Sequence, residues 1–510
     1  MMQMSRRSFL LGASAAAGAM ALGGLTGCAR PGVAGDPVGP SAEVVRRLEA
    51  QRRTAGQTVV AAQVTARPVQ VELGGAVVST WGYGDSLPGP LLRAGAGDLL
   101  RVQVDNRLDV DTSIHFHGIA MSNDMDGVPG LTQQPITAGE SFTYEFTAPH
   151  PGTYFYHSHS GLQLDRGLYG VVVIDDPAEP GGYDDEWVVV LDDWVDGTGR
   201  TPEDVARELG MPAPGRPAPR TGGMGSMMDH GAMGDMGSMM GAESMRSDLL
   251  GGAGDVNYPY YLLNGRTPVD PVTLTAAPGQ RVRIRLVNAA SDTAFRVGLG
   301  GHAMTVTHSD AFPVTPVDTD AVLLGMGERL DVLVTLADGV FPLFADAEGK
   351  PGHAVAVVRT AAGTATTDTR PDELDRLVLL GTDLSPAEQV RLPRRSHDNY
   401  LSVDMGGTMM PYRWMLNGAT FPDAAPLTVA EGQRVRMRLR NMSDMFHPMH
   451  LHGHTFALVD GGARKDTVTV RPMQTVEIEF DADNPGQWAL HCHNAYHQEA
   501  GMMTTLSYRA

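Results

Sequence analysis

One stretch recurs three times along this chain, and it limits what the chain can fold into. Residues 91–106 read LLRAGAGDLLRVQVDN, residues 274–288 read LTAAPGQRVRIRLVN, and residues 427–441 read LTVAEGQRVRMRLRN. Each has a glycine turn, then alternating Arg/Val or Arg/Leu, then a closing asparagine: Asn106, Asn288 or Asn441. Alternation places the apolar side chains on one face of a strand. Each copy therefore predicts a turn followed by a half-buried strand. Many Gly and Pro, few aromatics and short Val/Leu/Thr runs between turns favour β-sandwich modules over long helices. A chain of 510 residues has room for about three domains. The repeats predict them at 56–177, 185–362 and 372–510.

The copies differ beyond the asparagine. Nine residues after Asn106 comes His115-Phe116-His117-Gly118, and nine after Asn441 comes His450-Leu451-His452-Gly453. Nine after Asn288 comes Val297-Gly298-Leu299-Gly300. A second landmark repeats. Pro151 to His159 (PGTYFYHSH) matches Pro485 to His493 (PGQWALHCH). In the middle copy Gly339 opens a similar strand, and Phe344, Ala345 and Asp346 are expected where the others carry His-x-His. The outer copies thus supply four histidines each. Ser158 stands where Cys492 stands, so the third copy alone has a thiol.

Strand geometry sorts these side chains. Residues i and i+2 share a face, so each His-x-His aims two imidazoles at one target. The chain holds five such pairs, where its histidine content predicts roughly half a pair by chance. Cys492 points away from its neighbours His491 and His493, and His447 is out of phase with His450 and His452. Cys492, His447 and His497 therefore belong to one metal. The eight paired histidines surround something larger between the first and third domains. A thiolate, two imidazoles and a weak thioether form the ligand set of a blue-copper electron-transfer site. His150, His302, His308, His353, His397 and His454, which the two-domain repeat does not include, read as surface or hydrogen-bonded residues.

The segments His115-x-His117-Gly, His157-x-His159, His447-x-x-His450-x-His452 and His491-Cys492-His493 with His497 and Met502 resemble the copper motifs of three-domain multicopper oxidases. The resemblance extends over nearly the whole mature chain. It implies an all-β fold of three cupredoxin-like Greek-key β-sandwich domains in tandem. It implies four copper ions: one type 1, one type 2 and two type 3. Type 1 copper would sit on His447, Cys492 and His497, with Met502 axial. Type 2 copper would sit on His115 and His450. The type 3 pair would sit on His117, His157, His159, His452, His491 and His493. The implied reaction takes single electrons from a substrate and reduces dioxygen to water.

Dioxygen reduction needs protons. Asp126 matches the family's acid near the type 2 copper. A second family acid commonly follows the last type 1 histidine, but here that residue is Gln498, with Glu499 one further on. An amide cannot donate a proton as a carboxylic acid does, so Glu499 is the candidate substitute.

The reductant is read from sulfur. Residues 222–245 hold eight methionines and His230 in a Gly/Ser background, a composition that cannot pack a core. Thioethers select Cu(I), so Met224, Met227, Met228, Met233, Met236, Met239 and Met240 are assigned to an extra Cu(I) site. The segment resembles the Met-rich inserts of bacterial copper-tolerance oxidases. Similar oxidases place a substrate-copper methionine where Met445 stands, beside Asp444. Cu(I) oxidation for copper tolerance is the favoured expectation. A laccase-like oxidase of phenols or aromatic amines is the first alternative, and a copper-storage protein with incidental oxidase activity the second. Met502 as axial residue predicts a modest type 1 potential, which disfavours difficult phenols.

A net charge of −20 argues against a nucleic-acid partner, which needs a basic face. Ser5-Arg6-Arg7-Ser8-Phe9-Leu10-Leu11 and the apolar run to Leu25 resemble a twin-arginine export signal. Leu25-Thr26-Gly27-Cys28 resembles a lipobox, which would lipidate Cys28 after removal of the signal in 1–28. Residues 29–55 then read as a tether, and the protein as exported to the cell envelope. The chain's cysteines are Cys28 and Cys492. If Cys28 carries lipid, Cys492 has no disulfide partner in its own chain, and metal ligation explains its presence.

Overall fold

The computed structural model describes residue 33 and residues 35–179, 181–211, 246–364 and 366–510. Its strands form six sheets. Two lie within 59–175, two within 185–380 and two within 399–508. The result is three cupredoxin-like β-sandwiches in tandem. Each repeated strand occupies the same place in its sheet. Leu99–Asn106 runs parallel to Val59–Leu73 and antiparallel to Ser141–Thr147. Arg281–Asn288 does the same between Asp185–Trp194 and Arg329–Thr335, and Arg434–Asn441 between Asn399–Met409 and Thr475–Asp481.

The closing asparagines explain why the repeat ends as it does. Asn106 Nδ2 donates to the carbonyls of Val110 and Ile136, and its Oδ1 accepts from Leu108 N–H. Asn288 binds the carbonyls of Thr293 and Leu324 and the N–H of Ala290 in the same way. Asn441 binds the carbonyls of Met445 and Val470 and the N–H of Ser443. Each amide satisfies buried backbone at the corner where the chain leaves one sheet for the other. That fixed corner sets the position of the residues nine further on.

Those residues lie on short strands facing the second landmark. His115 pairs with His157, and His450 pairs with His491. In the middle domain Val297 pairs with Ala345. The equivalents of the paired histidines are therefore Ala345 and Ala347, one residue later than counting from Gly339 predicts. The strand there, Val340–Ala347, reaches the pairing position one residue further from its glycine than the outer copies do.

Two boundary expectations also need correction. The expected tether at 29–55 is not free over its described part. Pro37 bridges Arg509, and Glu43–Arg52 is a helix with Val45 buried. Glu49 at 8 % exposure accepts hydrogen bonds from the N–H and hydroxyl of Thr147. Val378–Leu380, expected in the third domain, pairs with Ala321–Leu324 in a sheet of the second. Residues 1–28, including Cys28, and the methionine-rich 222–245 lie outside the described residues. Among the described residues, no helix is long and apolar enough to cross a membrane.

Candidate metal centres

The cysteine site forms where the strands His447–Leu451 and Gln487–Cys492 meet the short helix Ala495–Glu499. His447 Nδ1 and His497 Nδ1 are 3.1 Å apart, and Cys492 Sγ lies 3.6 and 3.7 Å from them. All three residues are fully buried. The far nitrogen of each ring is held: His447 Nε2 lies 2.8 Å from Ser443 Oγ, and His497 Nε2 donates to Asp255 Oδ2 at 2.9 Å. Tyr412 Oη donates to the same oxygen at 2.7 Å. Burial alone would raise the Asp255 pKa, but the His497 and Tyr412 hydrogen bonds outweigh it and leave it lowered. Burial pushes the Cys492 thiol well above its usual value. A thiolate there needs a cation to stabilise it, and a bound metal deprotonates a coordinating thiol outright. Met502 is buried, and its carbonyl accepts from Cys492 N–H at 3.1 Å.

The eight paired histidines converge separately, on the far side of Cys492. Three groupings bring ligand atoms together: His115 with His117 and His450, His117 with His157 and His493, and His159 with His452 and His491. The strand parity read from the sequence is the parity in the fold. Most rings are anchored by one nitrogen and bare at the other. Nδ1 of His115, His157, His450 and His491 faces the carbonyls of Asp126, Ser158, Asp466 and Cys492 at 2.8–2.9 Å. Nε2 of His115, His157, His159 and His450, and Nδ1 of His117, are buried with no hydrogen-bond partner. Both ring nitrogens of His493 are likewise unpartnered. His452 Nε2 and His491 Nε2 face each other at 2.9 Å. Burial lowers the pKa of His117, His159, His450, His452 and His493 and keeps them neutral, and it pushes His157 down to about 3 and His491 to about 4. Neutral rings with bare inward nitrogens, anchored from behind, are what a metal cluster requires. The donor set fits copper.

Asp126 lies against this group. Both carboxylate oxygens are 3.1 Å from His452 Nδ1, and Oδ1 is 3.3 Å from His115 Nδ1. The next residue must be glycine, because a Cβ on Gly127 would overlap the carbonyl of Ile114. Glu499 stands elsewhere. Its side chain is exposed, and its one hydrogen-bond partner is Gln498 Nε2 at 3.4 Å. A second buried acid at that helix, besides Asp255, is Asp165, whose Oδ2 accepts from Tyr496 Oη at 2.5 Å and from Tyr258 Oη at 3.3 Å. Met445 is half-buried and Asp444 exposed.

The first domain repeats the cysteine site without its ligands. Ser158 matches Cys492, Thr112 matches His447 and Gln163 matches His497 by distance from the landmarks. The pairing of Thr112 with Ile136 parallels that of His447 with Val470. In place of a metal, Gln163 Oε1 accepts from Thr112 Oγ1 at 2.7 Å and from Ser158 Oγ at 2.8 Å.

Sequence reasoning missed the residues behind the rings. His117 Nε2 lies 3.1 Å from Asp466 Oδ1 and 2.9 Å from Thr467 Oγ1. Asp466 in turn pairs with Arg329 of the middle domain, and Asp255 comes from that domain too. The sequence offers one hint: Lys465 and Asp466 are charged yet directly precede the apolar-alternating strand Thr467–Val470.

Two histidine-lined centres on three β-sandwiches, one of them built on a buried cysteine, define a copper oxidase. The chain belongs to the multicopper oxidase family, whose domains match residues 65–179, 185–367 and 394–510. It is 48% identical to the multicopper oxidase MmcO of Mycobacterium tuberculosis, covering 99% of this chain and 96% of that protein. It is 30% identical to a copper resistance protein A homolog of Pseudomonas syringae pv. tomato, over 86% of this chain and 90% of that one. A solved multi-copper oxidase from Pseudomonas thermotolerans superposes with a TM-score of 0.67 at 29% identity, covering 89% of this chain and all of the other. The chain is thus a copper-binding oxidoreductase that uses dioxygen and a reducing substrate.

Proposed function

We propose that this oxidase takes its electrons from Cu(I) and passes them to dioxygen. Four Cu(I), one dioxygen and four protons give four Cu(II) and two waters. In this reading His447, Cys492, His497 and Met502 hold a type 1 copper, and His115 and His450 a type 2 copper. His117, His157 and His493 hold one type 3 copper, and His159, His452 and His491 the other. Bound copper supplies the one-electron chemistry and the affinity for dioxygen. The protein's residues do the rest. Cys492 connects covalently to His491 and His493, so one short backbone path joins the two centres. The rigid, buried ligand shell keeps reorganisation small, and the Asp126 carboxyl stands beside His452, where it would relay protons to the cluster. Glu499 is kept as the proposed second proton-supplying acid, on the helix that carries His497.

The observation that carries the substrate is where the chain goes after the methionine-rich insert. A Cβ on Gly252 would lie 3.4 Å from Met445 Sδ, and one on Gly251 would lie 2.9 Å from Pro472. Three residues later Asp255 accepts from His497. The return from the insert is therefore packed along the outer edge of the cysteine site. Methionines 224–240 would collect Cu(I) and Met445, beside Asp444, would pass it to the type 1 centre. The relatives named copper resistance protein A support the same reading. A 28% identical relative named laccase-2, from Botryotinia fuckeliana, keeps the phenol-oxidase alternative in view. Export through the Arg6-Arg7 signal and lipid attachment at Cys28 complete the proposal, with copper met at the cell envelope.

Steady-state dioxygen uptake with Cu(I) and with a phenol, in the parent and with 222–245 deleted, separates the two. A cuprous oxidase loses Cu(I) turnover on deletion. Unchanged Cu(I) turnover with increased phenol turnover favours the laccase reading.

A further inference from the structure

Among the described residues the middle domain supplies no histidine to either centre, yet it grips the segment Lys465–Thr467, which backs the His117 and His450 rings. Lys465 Nζ reaches Ser309 Oγ at 3.0 Å, Asp310 Oδ1 at 3.2 Å and Glu328 Oε1 at 3.3 Å. Asp310 Oδ2 accepts from the N–H groups of Asp466 and Thr467. Arg329 donates to both oxygens of the Asp466 carboxylate, at 2.7 and 2.5 Å. Arg329, Asp310, Lys465 and Asp466 are all fully buried. The fit is tight from both sides. A Cβ on Gly118 would overlap Asp466 Oδ2 and fall 2.7 Å from Arg329 Nη2. A Cβ on Gly327 would fall 2.9 Å from the His493 ring and 3.1 Å from the His117 ring.

This grip has a chemical consequence at one ring. Each of the other inward-facing histidines with a carbonyl behind it is anchored through Nδ1. His117 is reversed: Nε2 is tied to Asp466 and Thr467, and Nδ1 is the bare nitrogen. We propose that Arg329 is a positioning residue for the trinuclear centre, fixing the Asp466 carboxylate so that His117 presents Nδ1, not Nε2, to a type 3 copper. A forked guanidinium holds a carboxylate in one plane, as a lysine cannot. The ligandless domain is therefore a working part of the cluster. The inference rests on the assignment of His117 to the type 3 pair.

The test uses the full chain and three variants: Asp466→Asn, Asp466→Leu, and Arg329→Met combined with Asp466→Leu. The double variant removes both charges together, since replacing a buried ion pair with apolar residues of similar volume is often neutral for folding. The readouts are copper per chain, the near-ultraviolet band of the coupled pair, and the blue band of the cysteine site. Loss of an outer partner of a metal-bound histidine costs about 10- to 100-fold in metal affinity. Both Leu variants should keep the blue band and lose type 3 copper affinity to that extent, while Asp466→Asn, which keeps an oxygen for His117, should retain most of it. Parent-like type 3 copper in the double variant overturns the inference. Parallel loss of the blue band and the coupled pair in all three also overturns it, because the pair would then only hold the fold. Absence of a coupled pair in the parent enzyme instead removes the His117 assignment itself.

Discussion

Asp255 Oδ2 accepts a hydrogen bond from His497 Nε2 at 2.9 Å, so the second domain touches the ring that a type 1 copper would share with Cys492. The carboxylate orients the ring and adds negative charge next to the metal, and that charge favours the oxidised ion. Asp255→Asn should therefore raise the potential of the blue site and weaken its copper affinity about 10-fold. Redox titration of the blue band checks the first, and competition with a chelator the second. An unchanged potential would show the carboxylate to be electrostatically silent.

Cys492→Ser should abolish the blue absorption and the intake of electrons from any reductant. The paired histidines do not depend on the sulfur for their positions: none bonds to it, and those with an anchor are held by Asp126, Asp466, Thr467 or backbone carbonyls. The variant should therefore still bind copper there. Copper analysis with electron paramagnetic resonance checks this, and a metal-free variant would contradict it.

Asp126→Asn removes an acid and keeps the shape. Positioned general acids contribute about 10²- to 10⁴-fold to rates, so dioxygen reduction should slow within that range while the blue band stays. Stopped-flow reoxidation of the fully reduced enzyme measures the step directly.

Asp165 gives a pH signature. Burial, reinforced by the nearby charges of Asp193 and Asp192, raises its folded-state pKa well above the ordinary carboxylate value. Between the unfolded and folded values the native state holds a proton that the unfolded chain has lost. Stability then falls as pH rises through that window, by about 1.4 kcal/mol for each pH unit. Asp165→Asn, uncharged throughout, should be more stable than the parent at neutral pH, and the gap should close below the unfolded carboxylate pKa. Urea unfolding across pH reads the gap. A constant difference at all pH values would assign the effect to packing.

The clustering of the cysteine and the paired histidines was legible in the sequence because two constraints coincide there. Metal ligands must share a strand face, which fixes spacing, and the module is written more than once, which lets spacing be compared. Nothing of that kind marks the residues behind the rings. Asp466 is 349 residues from His117, and Asp255 is 242 residues from His497. Each occurs once and serves through a carboxylate that looks like any surface acid. The middle copy shows the limit of counting. Gly339 has the look of Gly152 and Gly486, yet the pairing of Val297 with Ala345 is set by backbone register, one residue off the count. The helix Glu43–Arg52 was hidden for a different reason. Its polar surface reads as linker, and Val45 and Glu49 are its buried residues.

The hydrogen-bonded trio of Thr112, Ser158 and Gln163 means that the proposed electron inlet is single by substitution rather than by architecture. The first domain keeps the corner asparagine, the paired strands and the His-x-His that flanks Ser158. What it lacks is four side chains: Leu168 stands where Met502 does, and the other three are replaced by neutral groups that satisfy one another. Wiring is thus separable from scaffold: the two outer domains are the same socket, fitted in one case with a terminal and in the other with a plug.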